Sequence, residues 1–259
     1  VGALDVYKAH IVKPSDLNKP NFIALYGCAG GGKSWLAASI SDAPGYNRVL
    51  IIDTENSTQG TVANFDDAKI DIIPVSTHGG FEAVWQAVLE EDAAGTLEYD
   101  AVVIDTLDVA QDRALAFFES EMEATGKADG FAKWGRVKEW TEAVGRKAQE
   151  MTALTIVVTH SKREKTENGP FSDMLNLAGS AKDTFPGIPD IVAFVEREGD
   201  TTTVHVGSSK NRSTKNRFNL ESTIENPTMT TLLAAISEHG SEKSTPKAAP
   251  KAAPKKEEK

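Results

Sequence analysis

The chain has 259 residues, enough for one large α/β domain with a sizeable core or for two small ones. At 40% hydrophobic and 25% charged it has the composition of an ordinary soluble globular protein, with no apolar run near the roughly 18–20 residues a bilayer span needs. The net charge is −10, but Ser241 to Lys259 holds six lysines against three glutamates, so Val1 to Gly240 stands at −13. A body that acidic does not bind nucleic acid over its whole surface, and any such contact must come from local basic loops or from the tail.

Val1 to Pro20 lacks the basic start and continuous apolar stretch of a secretory signal, so it reads as an N-terminal extension. The one cysteine, Cys28, cannot close an internal disulfide, which fits a reducing cytoplasm. The apolar run Phe22–Tyr26 predicts a first strand, and Ser34–Ser41 the helix after it. Between them Gly27, Cys28, Ala29, Gly30, Gly31, Gly32, Lys33 and Ser34 match the phosphate-binding pattern G-x-x-x-x-G-K-[ST] at each fixed position. The glycines let the backbone wrap until successive N–H groups point at phosphate oxygens, and the helix N-terminus adds partial positive charge there. Lys33 is expected to reach the β- and γ-phosphates and Ser34 to take one position on Mg²⁺, which makes ATP and Mg²⁺ the expected ligands. Cys28 fills a variable slot of this loop and reads as a small residue that fits, not as a redox sensor.

Further strands are expected at Val49–Asp53, Ile70–Val75, Ala101–Asp105 and Leu154–Thr159, with helices at Phe81–Ala94, Leu107–Ala124 and Ala132–Met151. Mostly unalternating strands separated by helices imply an α/β fold: a mostly parallel sheet flanked by helices on both faces. In the last helix Trp134, Val137, Thr141, Val144, Ala148 and Met151 recur at helical spacing, which puts Trp134 in the core. The acidic Glu90-Glu91-Asp92 reads as a solvated face.

Tyr99 to Asp105 is an apolar strand ending in a carboxylate, the second nucleotide motif, whose aspartate holds Mg²⁺ through its waters. It lies about 70 residues beyond the phosphate loop, a distance that intervening βαβ units account for. Many ring-forming ATPases carry a catalytic glutamate next to that aspartate, but Thr106 stands there, so the base must come from elsewhere. Glu55 falls just past the carboxyl end of Val49–Asp53, where ligands of open α/β sheets collect, and can polarise the attacking water. Asp108 is its weaker rival. His160 ends the strand Leu154–Thr159 at the same edge and can contact the γ-phosphate. His10, His78, His205 and His239 make no metal-ligand spacing with one another or with Cys28, so no zinc is expected.

Beyond Thr159 the pattern changes. Ser161 to Pro189 is polar and broken by Gly169-Pro170, Gly179 and Pro186-Gly187-Ile188-Pro189, the mark of a functional or mobile stretch. Ile191–Glu198 and Thr202–Ser209, joined by Gly199-Asp200, predict an antiparallel hairpin. Lys210 to Arg217 then carries four cations in eight residues. These are solvated surface, contacts to nucleic-acid phosphate, or, for Lys210 and Arg212, fingers for a neighbouring subunit's γ-phosphate. Lys162-Arg163-Glu164-Lys165 is the more natural candidate for touching nucleic acid, and neither cluster has interleaved aromatics in sequence. A short strand near Arg217–Leu220 and a helix Met229–His239 complete the folded part. The repeat Pro246-Lys247-Ala248-Ala249, Pro250-Lys251-Ala252-Ala253 cannot bury a core, which makes 241–259 a disordered tether.

With these residues placed, the chain resembles the RecA-like branch of the P-loop ATPases, and is most similar to phage-encoded single-domain relatives that act in single-strand annealing or recombination. The resemblance covers about Asn21 to Leu220, and implies one RecA-like ATPase domain over 21–240. In that branch the catalytic glutamate follows the second strand, as Glu55 does, and the sensor ends the strand inserted between those of the two nucleotide motifs, where His160 falls. Lys210-Asn211-Arg212 looks like the Lys-x-Arg element that acts on a neighbour's nucleotide, and Ser161 to Pro189 would include the DNA-contacting loop. The family's sensor is often glutamine, and no separate DNA-binding domain is found. The resemblance implies an ATPase working as a ring or filament of itself on single-stranded DNA in recombination, annealing or replication, with single-strand-binding or other recombination proteins as further partners. The alternatives are a nucleotide-gated scaffold without turnover and a P-loop kinase, whose acceptor pocket and arginine-bearing lid the hairpin fits poorly. A partition-type ATPase would want a further lysine at position 28, where Cys28 stands.

Overall fold

The structure is a computed structural model and describes residues 19–126, 131–165 and 171–241. Its first half contains β1 (Phe22–Gly27), α1 (Lys33–Ala38), β2 (Val49–Asp53), α2 (Gln59–Val62), β3 (Ile70–Pro74), α3 (His78–Ala94), β4 (Ala101–Asp105) and α4 (Leu107–Ala124). Next come α5 (Ala132–Glu150), β5 (Leu154–Lys165), β6 (Phe171–Leu175), α6 (Ala181–Thr184), β7 (Ile191–Glu198) and β8 (Thr201–His205). β9 (Lys215–Asn216), β10 (Thr223–Glu225) and α7 (Met229–Ser241) end the described chain.

The main sheet runs β10-β8-β7-β1-β5-β4-β2-β3, with β6 paired to β5 and β9 to β7. From β3 to β7 the pairs are parallel, and β7–β8 and β8–β10 are antiparallel. This is the expected mostly parallel α/β arrangement, with β5 inserted between the two motif-bearing strands, β1 and β4, and the antiparallel hairpin at the C-terminal side. Residues 1–18 and 242–259 lie outside the described residues, and with them nearly all of the expected extension and tail.

All residues of β1, β2 and β4 are buried, which explains why their sequences do not alternate. The alternation is between two cores. Phe22, Ala24 and Tyr26 face a cluster with Phe81 and Trp85 of α3 and Val144 and Ala148 of α5, while Ile23 and Leu25 face Leu36 of α1 and Leu232 and Ile236 of α7. Each such side chain contributes about 1.5–3 kcal/mol by leaving water. Helix α3 shows how local signals set the ends: Thr77 accepts a hydrogen bond from the Gly80 N–H, and Gly95, at φ 69°, closes the C-terminus. No helix among the described residues is long and apolar enough to cross a membrane.

The structure corrects several expectations. β5 does not stop at Thr159 but continues to Lys165, so His160 lies within a strand and Ser161 to Pro189 is not one long loop. The first six residues of β5 are buried in the sheet, whereas Ser161–Lys165 pairs only with β6, beyond the core. Charged residues are tolerated on that outer half, and they hide the strand period. Trp134 is 39% exposed, unlike Val137, Val144 and Ala148 further along α5, so it is not a core residue. The strand expected near Arg217–Leu220 is replaced by β9 before it and β10 after it. Asn219 adopts a left-handed φ of 59°, which breaks extended pairing there.

Candidate nucleotide site

The carboxyl ends of β1, β5, β4 and β2 share one edge of the sheet, with Gly27 beside His160 and Asp53 beside Asp105 in register. The phosphate loop leaves β1 at Gly27, turns through a bond from the Gly31 N–H to the Cys28 carbonyl (3.1 Å), and enters α1 through Gly32 at φ 88°. Gly27 is held against β7 so closely that a Cβ there would stand 2.0 Å from the Val195 carbonyl oxygen. Lys33 is 5% exposed, and its Nζ donates to the Cys28 carbonyl at 2.8 Å. Burial lowers the pKa of this ammonium, and the nearby carboxylates of Asp105, Asp108 and Glu55 oppose the effect. Cys28 is exposed and its Sγ lies 3.5 Å from the Ser161 hydroxyl.

Asp105 is 3% exposed. Burial pushes its carboxyl up to about 6, with the Ser34 hydroxyl pulling it down and Glu55 and Asp53 pushing it further up. Its Oδ1 is buried without a hydrogen-bond partner among the described residues. An orphaned carboxylate oxygen beside a serine hydroxyl suits a hard divalent cation that keeps most of its waters, so Ser34 and Asp105 fit Mg²⁺. Among the described residues no group of three or more His, Cys, Asp or Glu is placed to hold a metal ion. His78 lies instead among the Phe117, Phe118 and Trp140 rings, and His205 pairs with Glu196. His10 and the side chain of His239 lie outside the described residues.

Glu55 is held by groups that sequence reasoning did not find. The buried Asp53 carboxylate accepts the backbone N–H groups of Glu55 (3.0 Å), Asn56 (2.8 Å) and Thr58 (3.1 Å), which clamps the loop after β2. Thr54 and Thr106 exchange two hydrogen bonds of 2.8 Å, joining this loop to the one after β4, and the Asp105–Thr106 peptide is cis. The Thr106 hydroxyl then donates to Glu55 Oε1 at 3.0 Å. Arg113 adds bonds of 2.6 Å to the carbonyls of Thr54 and Val75. His160 brings Nδ1 to 2.9 Å from Asp108 Oδ2 and to 3.5 Å from Glu55 Oε1. Asp108, 4% exposed, is thus engaged with His160.

Lys33, Ser34, Asp105, Glu55 and His160 therefore meet at one edge. Lys210 and Arg212 do not join them. Lys210 is exposed on the loop after β8. Arg212 donates to both Glu196 oxygens (3.1 and 3.3 Å) and lies 5.0 Å from the centre of the Phe194 ring, with its Nε buried and without a hydrogen-bond partner among the described residues. The basic cluster on β5 does acquire an aromatic, because the hairpin brings Phe171, 53% exposed, to 5.9 Å from the Arg163 guanidinium. That neighbour lies eight positions further along the chain, so no linear pattern announced it.

A family model described as an AAA domain matches residues 19–218. A solved structure, that of the RadB recombinase, aligns with a TM-score of 0.49 and 14% sequence identity, over 80% of this chain and 87% of that one. No curated protein matches.

Proposed function

The chain belongs to the AAA-domain family, and from that premise we propose that it is a Mg²⁺-dependent ATPase that works as a homo-oligomer on single-stranded DNA, in recombination, annealing or replication. The observation that carries the reading is the convergence of Glu55, His160 and the unsatisfied Asp105 on the edge where the phosphate loop ends. In this reading Lys33 exchanges the Cys28 carbonyl for phosphate oxygens, and the loop N–H groups cradle the rest. Mg²⁺, held by Ser34 and Asp105, supplies neutralisation of the phosphate charge. Glu55 orients the attacking water and accepts its proton, with the Thr106 hydroxyl donating to Oε1 and the Ser57 hydroxyl to Oε2 at 3.3 Å to fix the carboxylate. His160 contacts the γ-phosphate and reports its loss to the β5–β6 hairpin.

Lys210 and Arg212 serve the nucleotide of an adjoining protomer. Arg212 must exchange Glu196 for that phosphate, and such a cation is worth about 10³–10⁵ in turnover. The hairpin supplies the DNA contact. Phe171 offers a face on which a base stacks, and Arg163 supplies charge beside it in an otherwise acidic protein.

The test is ATP turnover with and without single-stranded DNA, followed by mixing Glu55→Gln with Arg212→Ala protein. Each variant alone should be inactive, with Glu55→Gln still binding nucleotide, and mixing should restore part of the activity. Bound nucleotide with no turnover under any condition would leave a nucleotide-gated scaffold as the function. Turnover that DNA does not change, in a protein that does not bind DNA, would end the nucleic-acid reading.

A further inference from the structure

The hydrogen bonds around Asp108 go beyond what a packed polar residue requires. Asp108 lies in the first turn of α4, three residues after Asp105, and is buried. A buried carboxylate is costly unless it is bonded, and a helix N-terminus favours its ionised form. Oδ1 accepts the His160 backbone N–H at 3.2 Å. Oδ2 faces His160 Nδ1 at 2.9 Å and accepts from the Asn176 side-chain amide at 3.3 Å. Asn176 follows β6 directly, and its backbone N–H donates to the His160 carbonyl at 2.8 Å. One carboxylate therefore holds both strands of the β5–β6 hairpin at their root, and ties them to the helix that begins beside Asp105.

His160 has a second carboxylate within reach. Glu55 Oε1 stands 3.5 Å from the same Nδ1 that Asp108 engages at 2.9 Å. Asp108 is the nearer partner and also grips the His160 backbone. While it does so, Nδ1–H points at Asp108, Nε2 is left as an acceptor that reaches a phosphate oxygen through a bridging water, and Glu55 is left for water.

We infer that Asp108 is a positioning residue of the nucleotide site: it fixes the tautomer and direction of His160, keeps His160 off Glu55, and joins the sensor to the hairpin root. This rests on the ATPase reading. Asp108 touches no reacting atom, and beyond its charge near Lys33 it acts through His160. Without it, His160 turns to Glu55 and occupies the base.

The experiment compares Asp108→Ala, His160→Ala and the double variant in steady-state ATP turnover, alongside nucleotide affinity measured with a fluorescent ATP analogue. Asp108→Ala should lower kcat by about 10–100-fold, the usual effect of losing a group that orients a reactive one, with nucleotide affinity changed less than about twofold. The double variant should be no slower than His160→Ala alone, because the two residues act as a unit. Multiplying effects, or loss of nucleotide binding together with turnover, would overturn the inference and leave Asp108 as a structural residue. Asp108→Asn preserves shape and serves if the alanine variant does not fold. In ¹⁵N spectra of the imidazole, the wild type should show the Nδ1–H tautomer for His160, and Asp108→Asn should shift the population away from it. An unchanged spectrum refutes the inference. This readout needs no turnover, so an inactive wild type would sink the ATPase reading while the spectrum still decides the role of Asp108.

Discussion

Gly27 shows how little tolerance the site has at the scale of a single residue. Its missing side chain is required because the Val195 carbonyl of β7 would stand 2.0 Å from a Cβ, and the obstacle is backbone that cannot rotate away. Gly27→Ala should therefore destabilise the protein by roughly 3 kcal/mol or more, at the upper end of overpacking, and should abolish nucleotide binding by displacing the loop. Urea unfolding together with nucleotide titration checks both. Gly30→Ala, with nothing within 4 Å of its Cβ but a φ of 73°, should cost less, about 1–2 kcal/mol. The identities of these residues were legible in the loop pattern, but the reason for Gly27 was not. It depends on β7, which is 164 or more positions further along the chain and adjoins β1 only in the folded sheet.

Helix α3 begins at His78, which packs against the rings of Phe117 and Phe118 from α4 and Trp140 from α5. Burial lowers its pKa, Glu82 and Glu121 oppose the shift, and its Nδ1 is buried without a hydrogen-bond partner among the described residues. A histidine whose folded pKa is depressed stabilises the fold above the unfolded value and loses that contribution as pH falls. Stability should thus drop as pH falls below the ordinary imidazole range near 6.5, because the unfolded chain takes up the proton first. His78→Leu should flatten this part of the profile, as followed by thermal unfolding from pH 8 to pH 5. The α3 helix itself was plain in the sequence from Phe81, Trp85 and Val88 at helical spacing. The outer half of β5 was not, since Lys162–Lys165 carries its charges where only β6 covers it.

Arg212 matters at the scale of the whole molecule. Within one protomer it is held by Glu196 on β7, and among the described residues it makes no bond to Lys33, Asp105 or Glu55. If it completes a neighbour's site, turnover per protomer should rise with protein concentration and level off once the oligomer is saturated, while Arg212→Ala should stay low throughout. A concentration-independent rate in the wild type would mean that each protomer carries a complete site, with Arg212 serving only to bind β7 and β8 together. The net charge of −10 adds a further constraint, because a phosphate backbone approaching this body must find local cations such as those on the β5–β6 hairpin.

By itself the sequence determined the phosphate loop, the Asp105 strand, the place of Glu55 after β2, and the alternation that makes an α/β sheet. These are properties of neighbours along the chain: hydrophobic period, glycine spacing and the residue at a strand's end are local and can be read in order. The tertiary structure decided the rest, because it depends on which strands become neighbours. Thr106 meets Glu55 across 51 positions, His160 meets Asp108 across 52, and Asn176 meets Asp108 across 68. The first meeting exists because β2 pairs with β4 and the other two because β5 inserts between β1 and β4, and no local pattern carries either choice. Sequence named the phosphate-loop pattern, and strand order chose the groups that hold Glu55 and His160 in place.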